Sequence, residues 1–152
     1  MTAYSLKEEM RLSLRETAPM TPEETRMMNP LQLAYMGDTV WELLVRSQAV
    51  ARKLTVRHMH QAAVSGVNAR AQAEALSRIV NELTEDEADV VRRGRNAHPH
   101  HAGPKHQDPA DYKAATGLEA LIGYLYLSGQ EERMMTLFHL ARQEENACPA
   151  QR

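Results

Sequence analysis

Recurring signals for the start of an α-helix are the feature that most restricts the fold of this chain. Thr21-Pro22-Glu23-Glu24 has the pattern of a capping box, in which a threonine and a glutamate three residues later bond each other's backbone amides. Thr84 and Glu87 repeat this spacing, while Asn29-Pro30 and Asp108-Pro109 place a capping side chain before a proline. Alternating β-branched and polar residues, which indicate strands, are nearly absent. The sequence therefore predicts an all-α fold.

Apolar-rich segments between these signals predict about six to seven helices in one domain. The predicted helical segments cover residues 30–51, 56–64, 67–82, 85–95, 109–128 and 131–146. Ser65-Gly66 and Ser128-Gly129 are the expected breaks between neighbouring helices. A chain of 152 residues has the usual size of one domain with one core. We expect an N-terminal extension at 1–28, the domain at 29–146 and a C-terminal tail at 147–152.

Charge and cysteine content limit where such a chain works. The formal net charge is −2, which excludes a uniformly basic surface as the basis of nucleic-acid binding. The single cysteine, Cys148, can form no disulfide within the chain, which favours a reducing compartment. Residues 1–17 carry charge throughout, unlike a signal peptide, and no run of roughly 18 apolar residues occurs. The expected location is the cytoplasm, away from membranes.

Two isolated carboxylates point to a metal site. Asp38 is the one charged residue between 27 and 41, and Glu119 is the one charged residue between 114 and 130. Burying an ionised carboxylate costs several kcal/mol unless it is paired, and two carboxylates that meet raise each other's pKa. A divalent cation between them removes both penalties, and a few oxygen ligands suit magnesium better than zinc. Alternatively, each acid pairs with an arginine or lies at a helix surface.

Small residues near both acids predict a close approach of two helices. Gly37 precedes Asp38, and Gly117 and Gly123 flank Glu119, although glycine inside a helix costs about 1 kcal/mol relative to alanine. A close approach would explain this cost, but the pattern does not show which helices touch.

The segment 96–107, NAHPHHAGPKHQ, lacks helical periodicity and predicts a long exposed loop. It contains His98, His100, His101 and His106. Four imidazoles could bind zinc, but their proline and glycine spacing puts them on no regular face. They could equally serve as polar loop residues facing phosphate.

Three segments resemble the ribonuclease III family, and its Mini-ribonuclease III group in particular. They are LAYMGDTVWELLVR (33–46), YKAATGLEALIGYLYL (112–127) and RRGRNA (92–97). The resemblance extends over residues 29–146. It implies a helical endonuclease domain, without the separate RNA-binding domain of larger members, that acts as a homodimer on double-stranded RNA.

The resemblance also implies roles for particular residues. Asp38 and Glu119 match metal-binding, catalytic carboxylates that hold Mg²⁺, for which Mn²⁺ can substitute. Thr116 stands where full-length enzymes have a further acid, so Thr116 and Glu42 are candidates to support the metal site. Glu42 could instead form a surface ion pair with Arg46, four residues later. The implied RNA-binding residues are Arg92, Arg93, Arg95, Asn96, Lys105 and Lys113. Alternatively, the arginines are a solvated helix end that interacts with the helix dipole.

The implied reaction is hydrolysis of double-stranded RNA to 5′-phosphate and 3′-hydroxyl ends. Family members of this kind mature the paired ends of the 23S ribosomal RNA precursor, and a large-subunit ribosomal protein could assist. Two other functions remain open on the sequence: a non-catalytic RNA-binding ribosome-assembly factor with the same fold, and a helical zinc-binding module based on the histidine loop.

Overall fold

Seven α-helices and one short 3₁₀ turn form the described part of the chain, residues 19–97 and 108–143 of a computed structural model. The helices are α1 (Pro22–Arg26), α2 (Pro30–Ala51), α3 (Val56–Val67), α4 (Ala69–Ile79), α5 (Glu85–Asn96), α6 (Pro109–Leu127) and α7 (Glu131–Ala141). The 3₁₀ turn (Val80–Glu82) follows α4, and these residues contain no strand. The predicted all-α class is confirmed.

The capping signals form as the sequence predicts. Thr21 Oγ1 accepts the Glu24 amide at 3.2 Å, and Glu24 returns the bond to the Thr21 amide at 3.3 Å. Thr84 and Glu87 make the same reciprocal pair at the start of α5. The Asn29 side chain caps α2 through the Leu31 amide at 2.9 Å. Each cap satisfies an amide that has no partner within its helix.

Two predicted boundaries are wrong. The break expected at Ser65-Gly66 does not form there, because α3 continues to Val67 and the next helix begins after the Asn68 cap. Gly66 instead provides space: a β-carbon there would lie 2.9 Å from a Val45 methyl group. The last helix ends at Ala141 rather than 146, where its final carbonyl accepts a 2.8 Å hydrogen bond from Arg78.

The core surrounds α6, which packs against α1, α2, α4, α5 and α7. Buried residues occupy nearly every position of α6 from Ala114 to Leu125. Near the middle of α2, the Trp41 ring packs edge-on against Phe138 with 5.3 Å between the ring centroids, and its indole nitrogen donates to the Gly66 carbonyl. Among the described residues, no helix is long and apolar enough to cross a membrane.

Residues 19–28, at the end of the expected N-terminal extension, pack against the rest of the fold. The Met20 amide donates to the Leu127 carbonyl at 2.9 Å, and Thr25 is fully buried. The Arg93 guanidinium of α5 donates to the backbone carbonyls of Arg26 and Met28. This segment therefore links the ends of α5 and α6.

Candidate active site

Two glycines allow α2 and α6 to come into backbone contact. A β-carbon on Gly37 would lie 1.6 Å from the Glu119 carbonyl oxygen, and one on Gly123 would lie 1.9 Å from the Leu33 carbonyl oxygen. No side chain larger than hydrogen fits at either position. The helices run antiparallel through this contact, which places Asp38 of α2 beside Glu119 of α6. The predicted close approach is thus confirmed, and it joins the two helices that carry the lone acids.

The electrostatics of Glu119 show how close the two carboxyl groups are. Burial, and after it the negative charge of Asp38, raise the pKa of Glu119 from an ordinary 4.5 to about 7. A hydrogen bond between the two acids acts in the same direction. Neither acid has an ion pair with an arginine or lysine among the described residues. The pair therefore carries negative charge that no side chain compensates.

Asp38 is more exposed than the sequence suggests. The alternative that the acid lies at a helix surface holds for Asp38, which is exposed. Tyr35, Leu43 and Val50 of the same helix are exposed as well, because no part of the described chain covers them. Glu119 is half-buried, so the site is an open pair of acids at the edge of the core.

Gln72 is a third member of this cluster. It projects from α4, which packs against α6, and its amide lies close enough to Glu119 to lower the pKa of that carboxyl group. Sequence reasoning did not single it out. The available signal was a glutamine on the apolar face of α4, in register with Ala69, Ala75 and Ile79.

The donor set suits a hard cation with few protein ligands. The described residues contain no group of three or more His, Cys, Asp or Glu side chains that converge on one point. Asp38 and Glu119 therefore offer two carboxylates, and a Mg²⁺ ion held by one or two carboxylates completes its octahedron with water and substrate phosphate. The uncompensated charge of the pair fits such an ion.

Comparison with known proteins decides the family. The Ribonuclease III domain model matches residues 31–130. The Mini-ribonuclease 3 of Symbiobacterium thermophilum is 50% identical over 113 residues, which cover 74% of this chain and 86% of the relative. The Mini-ribonuclease 3 of a Thermoanaerobacter species is 43% identical over 131 residues, covering 86% and 92%. The chain belongs to the ribonuclease III family.

A solved structure agrees with this assignment. The crystal structure of a Fusobacterium nucleatum protein superposes with a TM-score of 0.70 at 29% identity, covering 79% of this chain and 96% of that one. Within the ribonuclease III family, the chain is of the Mini-ribonuclease 3 type and is an endoribonuclease that acts on double-stranded RNA.

Two further candidates for this ribonuclease III site are engaged elsewhere. Glu42 accepts hydrogen bonds from Arg46 at 2.6 and 3.1 Å, which is the surface pair that the sequence left open. The Thr116 hydroxyl donates to the Tyr112 carbonyl at 3.0 Å, one turn earlier on α6. Thr116 is buried on the same helix as Glu119 but bonds its own backbone.

Four of the predicted RNA-binding residues of this ribonuclease III enzyme line one pocket. Arg92, Arg95, Asn96 and Lys113 border an open pocket of about 270 Å³ whose floor includes Val80, Leu83 and Val91. Arg92 is paired with Asp89, whereas Arg95 and Lys113 have no ion pair in the described chain.

Arg93 does not line this pocket, because its guanidinium donates to the Arg26 and Met28 carbonyls at the end of α1 and just after it. Lys105, the histidines at 98, 100, 101 and 106, and Cys148 lie outside the described residues.

Proposed function

We propose that Asp38 and Glu119 hold the catalytic Mg²⁺ of this endoribonuclease. The proposal rests on the contact between two lone carboxylates. Two glycines, at positions where no side chain would fit, bring their helices together. Mn²⁺, with the same preference for oxygen ligands, is expected to substitute. We also propose a set of RNA-binding residues, a homodimer and a substrate, the 23S ribosomal RNA precursor.

The two acids contribute by position and by charge. Bound Mg²⁺ supplies Lewis-acid activation of water and offsets the charge that develops on the phosphate. Asp38 and Glu119 would hold the ion between α2 and α6, where the exposed side of Asp38 leaves access for a phosphodiester. Their negative charge also favours the cation over a proton once Glu119 is ionised. The products would carry 5′-phosphate and 3′-hydroxyl ends.

Arg95, Lys113, Arg92 and Asn96 form the proposed RNA-binding surface. They border one pocket and present cationic or amide donors at its rim. Double-stranded RNA is recognised mainly through phosphates and 2′-hydroxyls, for which such donors suffice without a basic coat. Lys105 is proposed on the sequence alone, and Arg93 is left out because its guanidinium is held by backbone carbonyls.

An apolar stripe on α2 supports the proposed homodimer. Tyr35, Leu43 and Val50 are spaced by eight and seven residues, which keeps them on one helix face, and they are 84%, 57% and 59% exposed. An exposed apolar stripe of this kind marks an interaction surface. A twofold pairing through it would give two sites, one for each strand of a duplex.

The proposed substrate is the pair of complementary ends of the 23S ribosomal RNA precursor, in the bacterial cytoplasm, and the proposed helper is a large-subunit ribosomal protein. The Mini-ribonuclease 3 likeness over most of the chain supports this substrate.

Cleavage of a labelled RNA stem tests the metal site. The stem should carry the paired ends of precursor 23S RNA, and the proteins compared are wild type, Asp38→Asn and Glu119→Gln, with Mg²⁺ or EDTA. Wild type is expected to cut only with Mg²⁺. Each variant should lose at least about a hundredfold in rate, because it keeps the side-chain shape and removes one of two charged ligands.

Glu42→Gln is the matched control, since Glu42 lies four residues from Asp38 on the same helix but pairs with Arg46. It should cut within about threefold of wild type. Wild type that binds the stem but never cuts it would favour the ribosome-assembly factor. Cleavage of an unrelated stem at the same rate would reject the precursor as the specific substrate.

A further inference from the structure

Gln72 of α4 is a buried polar residue that contributes no regular hydrogen bond to the core of the described chain. It is 2% exposed, and the other buried residues of its helix are apolar: Ala69, Ala75, Leu76 and Ile79. Its Nε2 atom is buried and makes no hydrogen bond of regular geometry within the described chain. A buried donor without a partner costs about 1–3 kcal/mol. An apolar residue of similar volume would remove this cost.

The position of Gln72 relates it to the acid pair. Both α2 and α4 pack against α6, so Glu119 receives Asp38 from one helix and Gln72 from the other. Asp38 repels the Glu119 carboxylate, whereas the Gln72 amide is the one neighbour that stabilises its charged form. The two neighbours thus act on Glu119 in opposite senses.

We propose that Gln72 is a positioning residue, whose carboxamide holds the Glu119 carboxylate in the orientation that binds the divalent cation. The inference rests on the proposed metal site of Asp38 and Glu119. A carboxylate has two oxygens, so one can accept from Gln72 while the other faces the cation. Partners of this kind fix ligand orientation, and their loss typically lowers metal affinity or activity about 10–100-fold.

Direct metal binding provides the test, with Mn²⁺ alone as the probe and electron paramagnetic resonance to count the free ion. Gln72→Met keeps the length of the side chain and removes its hydrogen-bonding groups. We expect it to lower Mn²⁺ affinity about tenfold, while its thermal midpoint in EDTA stays the same or rises. A purely structural role predicts the reverse, a lower midpoint with unchanged affinity.

Ser77→Ala is the matched control on α4, because its exposed hydroxyl bonds only the Glu74 carbonyl of its own helix. Its Mn²⁺ affinity should equal that of wild type. A loss of less than about threefold in Gln72→Met would overturn the inference. If Asp38→Asn keeps wild-type Mn²⁺ affinity, the proposed metal site itself is wrong and the role of Gln72 falls with it.

Gln72→Glu covers the case in which the methionine variant does not fold. It keeps the shape and places a third carboxylate beside Glu119 and Asp38. Like charges should lower its thermal midpoint in EDTA, and Mg²⁺ should raise that midpoint by more than in wild type. An equal Mg²⁺-induced shift in both proteins would show that residue 72 does not reach the site.

Discussion

The carboxyl group of Glu119 links the proposed metal site to the stability of the fold. Burial and the charge of Asp38 raise its pKa to about 7, so near neutral pH the metal-free protein holds a proton there that the unfolded chain, with a pKa of 4.5, does not. Between these values the folded state binds more protons than the unfolded state, and stability therefore falls as pH rises. The site is strained by its own charge when the cation is missing.

Glu119→Gln should remove this pH dependence. In EDTA below about pH 4.5, the carboxyl group is protonated in both states and the variant should match wild type. As pH rises to 8, wild type should lose up to about 3 kcal/mol relative to the variant, a ceiling set by the shift in pKa. Urea denaturation at a series of pH values measures the difference.

Glu74→Gln controls for general effects of removing a carboxylate, since Glu74 is exposed and paired with Arg70 at 3.3 Å. Its stability difference should stay within about 0.5 kcal/mol at every pH. A flat difference for Glu119→Gln as well would mean that the Glu119 carboxyl group titrates normally. Adding Mg²⁺ at pH 8 should stabilise wild type and leave Glu119→Gln nearly unchanged.

The contact between α2 and α6 determines the geometry of the site at the scale of helices. Gly37→Ala tests it with an unusual sign, because alanine in a helix interior normally stabilises by about 1 kcal/mol. Here the new β-carbon would overlap the Glu119 carbonyl oxygen, so the helices must separate. We expect a loss of about 3 kcal/mol or more in urea denaturation, together with a loss of cleavage.

Thr39→Ala, two residues along α2 on an exposed position, is the comparison for Gly37→Ala. It should change stability by no more than about 0.5 kcal/mol. A Gly37→Ala protein that is as stable as wild type would show that the two helices lie farther apart than the structure has them.

Local chemistry explains which helix boundaries the sequence predicts. Residues with a capping partner nearby, such as Asn29 and Thr84, start helices where expected, because the cap is decided within one turn. Gly66 misleads, because it serves a tertiary contact with Val45 rather than a break. At the early end of α7, the Ala141 carbonyl accepts a hydrogen bond from Arg78, a partner 63 positions away that local sequence does not indicate.

In the candidate site, too, local sequence features were predicted and tertiary contacts were not. Asp38 and Glu119 stand out because each is alone in an apolar segment, and the glycines near them predict a close approach. Gln72 does not stand out, since one glutamine among alanines is a common helical pattern. Its position beside Glu119 becomes visible only when α4 and α6 are packed together.

At the scale of the whole molecule, the exposed apolar residues on the outer face of α2 bear on its oligomeric state. In a single chain, Tyr35 and Leu43 leave apolar side-chain surface in water on the outer side of α2. A second pocket of about 210 Å³ continues this surface between α2 and α3, lined by Val50, Val56 and Met59 among others. A contiguous exposed apolar surface is often a site that binds a partner. The proposed homodimer would cover them.

Leu43→Glu tests this homodimer. The residue is on the surface, so the variant should fold, but a charge buried at a twofold contact occurs twice and is repelled by its copy. Sedimentation velocity should show wild type as a dimer and the variant as a monomer. Val80→Glu, at a similarly exposed valine outside the α2 stripe, should remain a dimer. A Leu43→Glu dimer as tight as wild type would place the interface elsewhere. A monomer that still cuts both strands at the wild-type rate would show that dimerisation is unnecessary for double-strand cleavage.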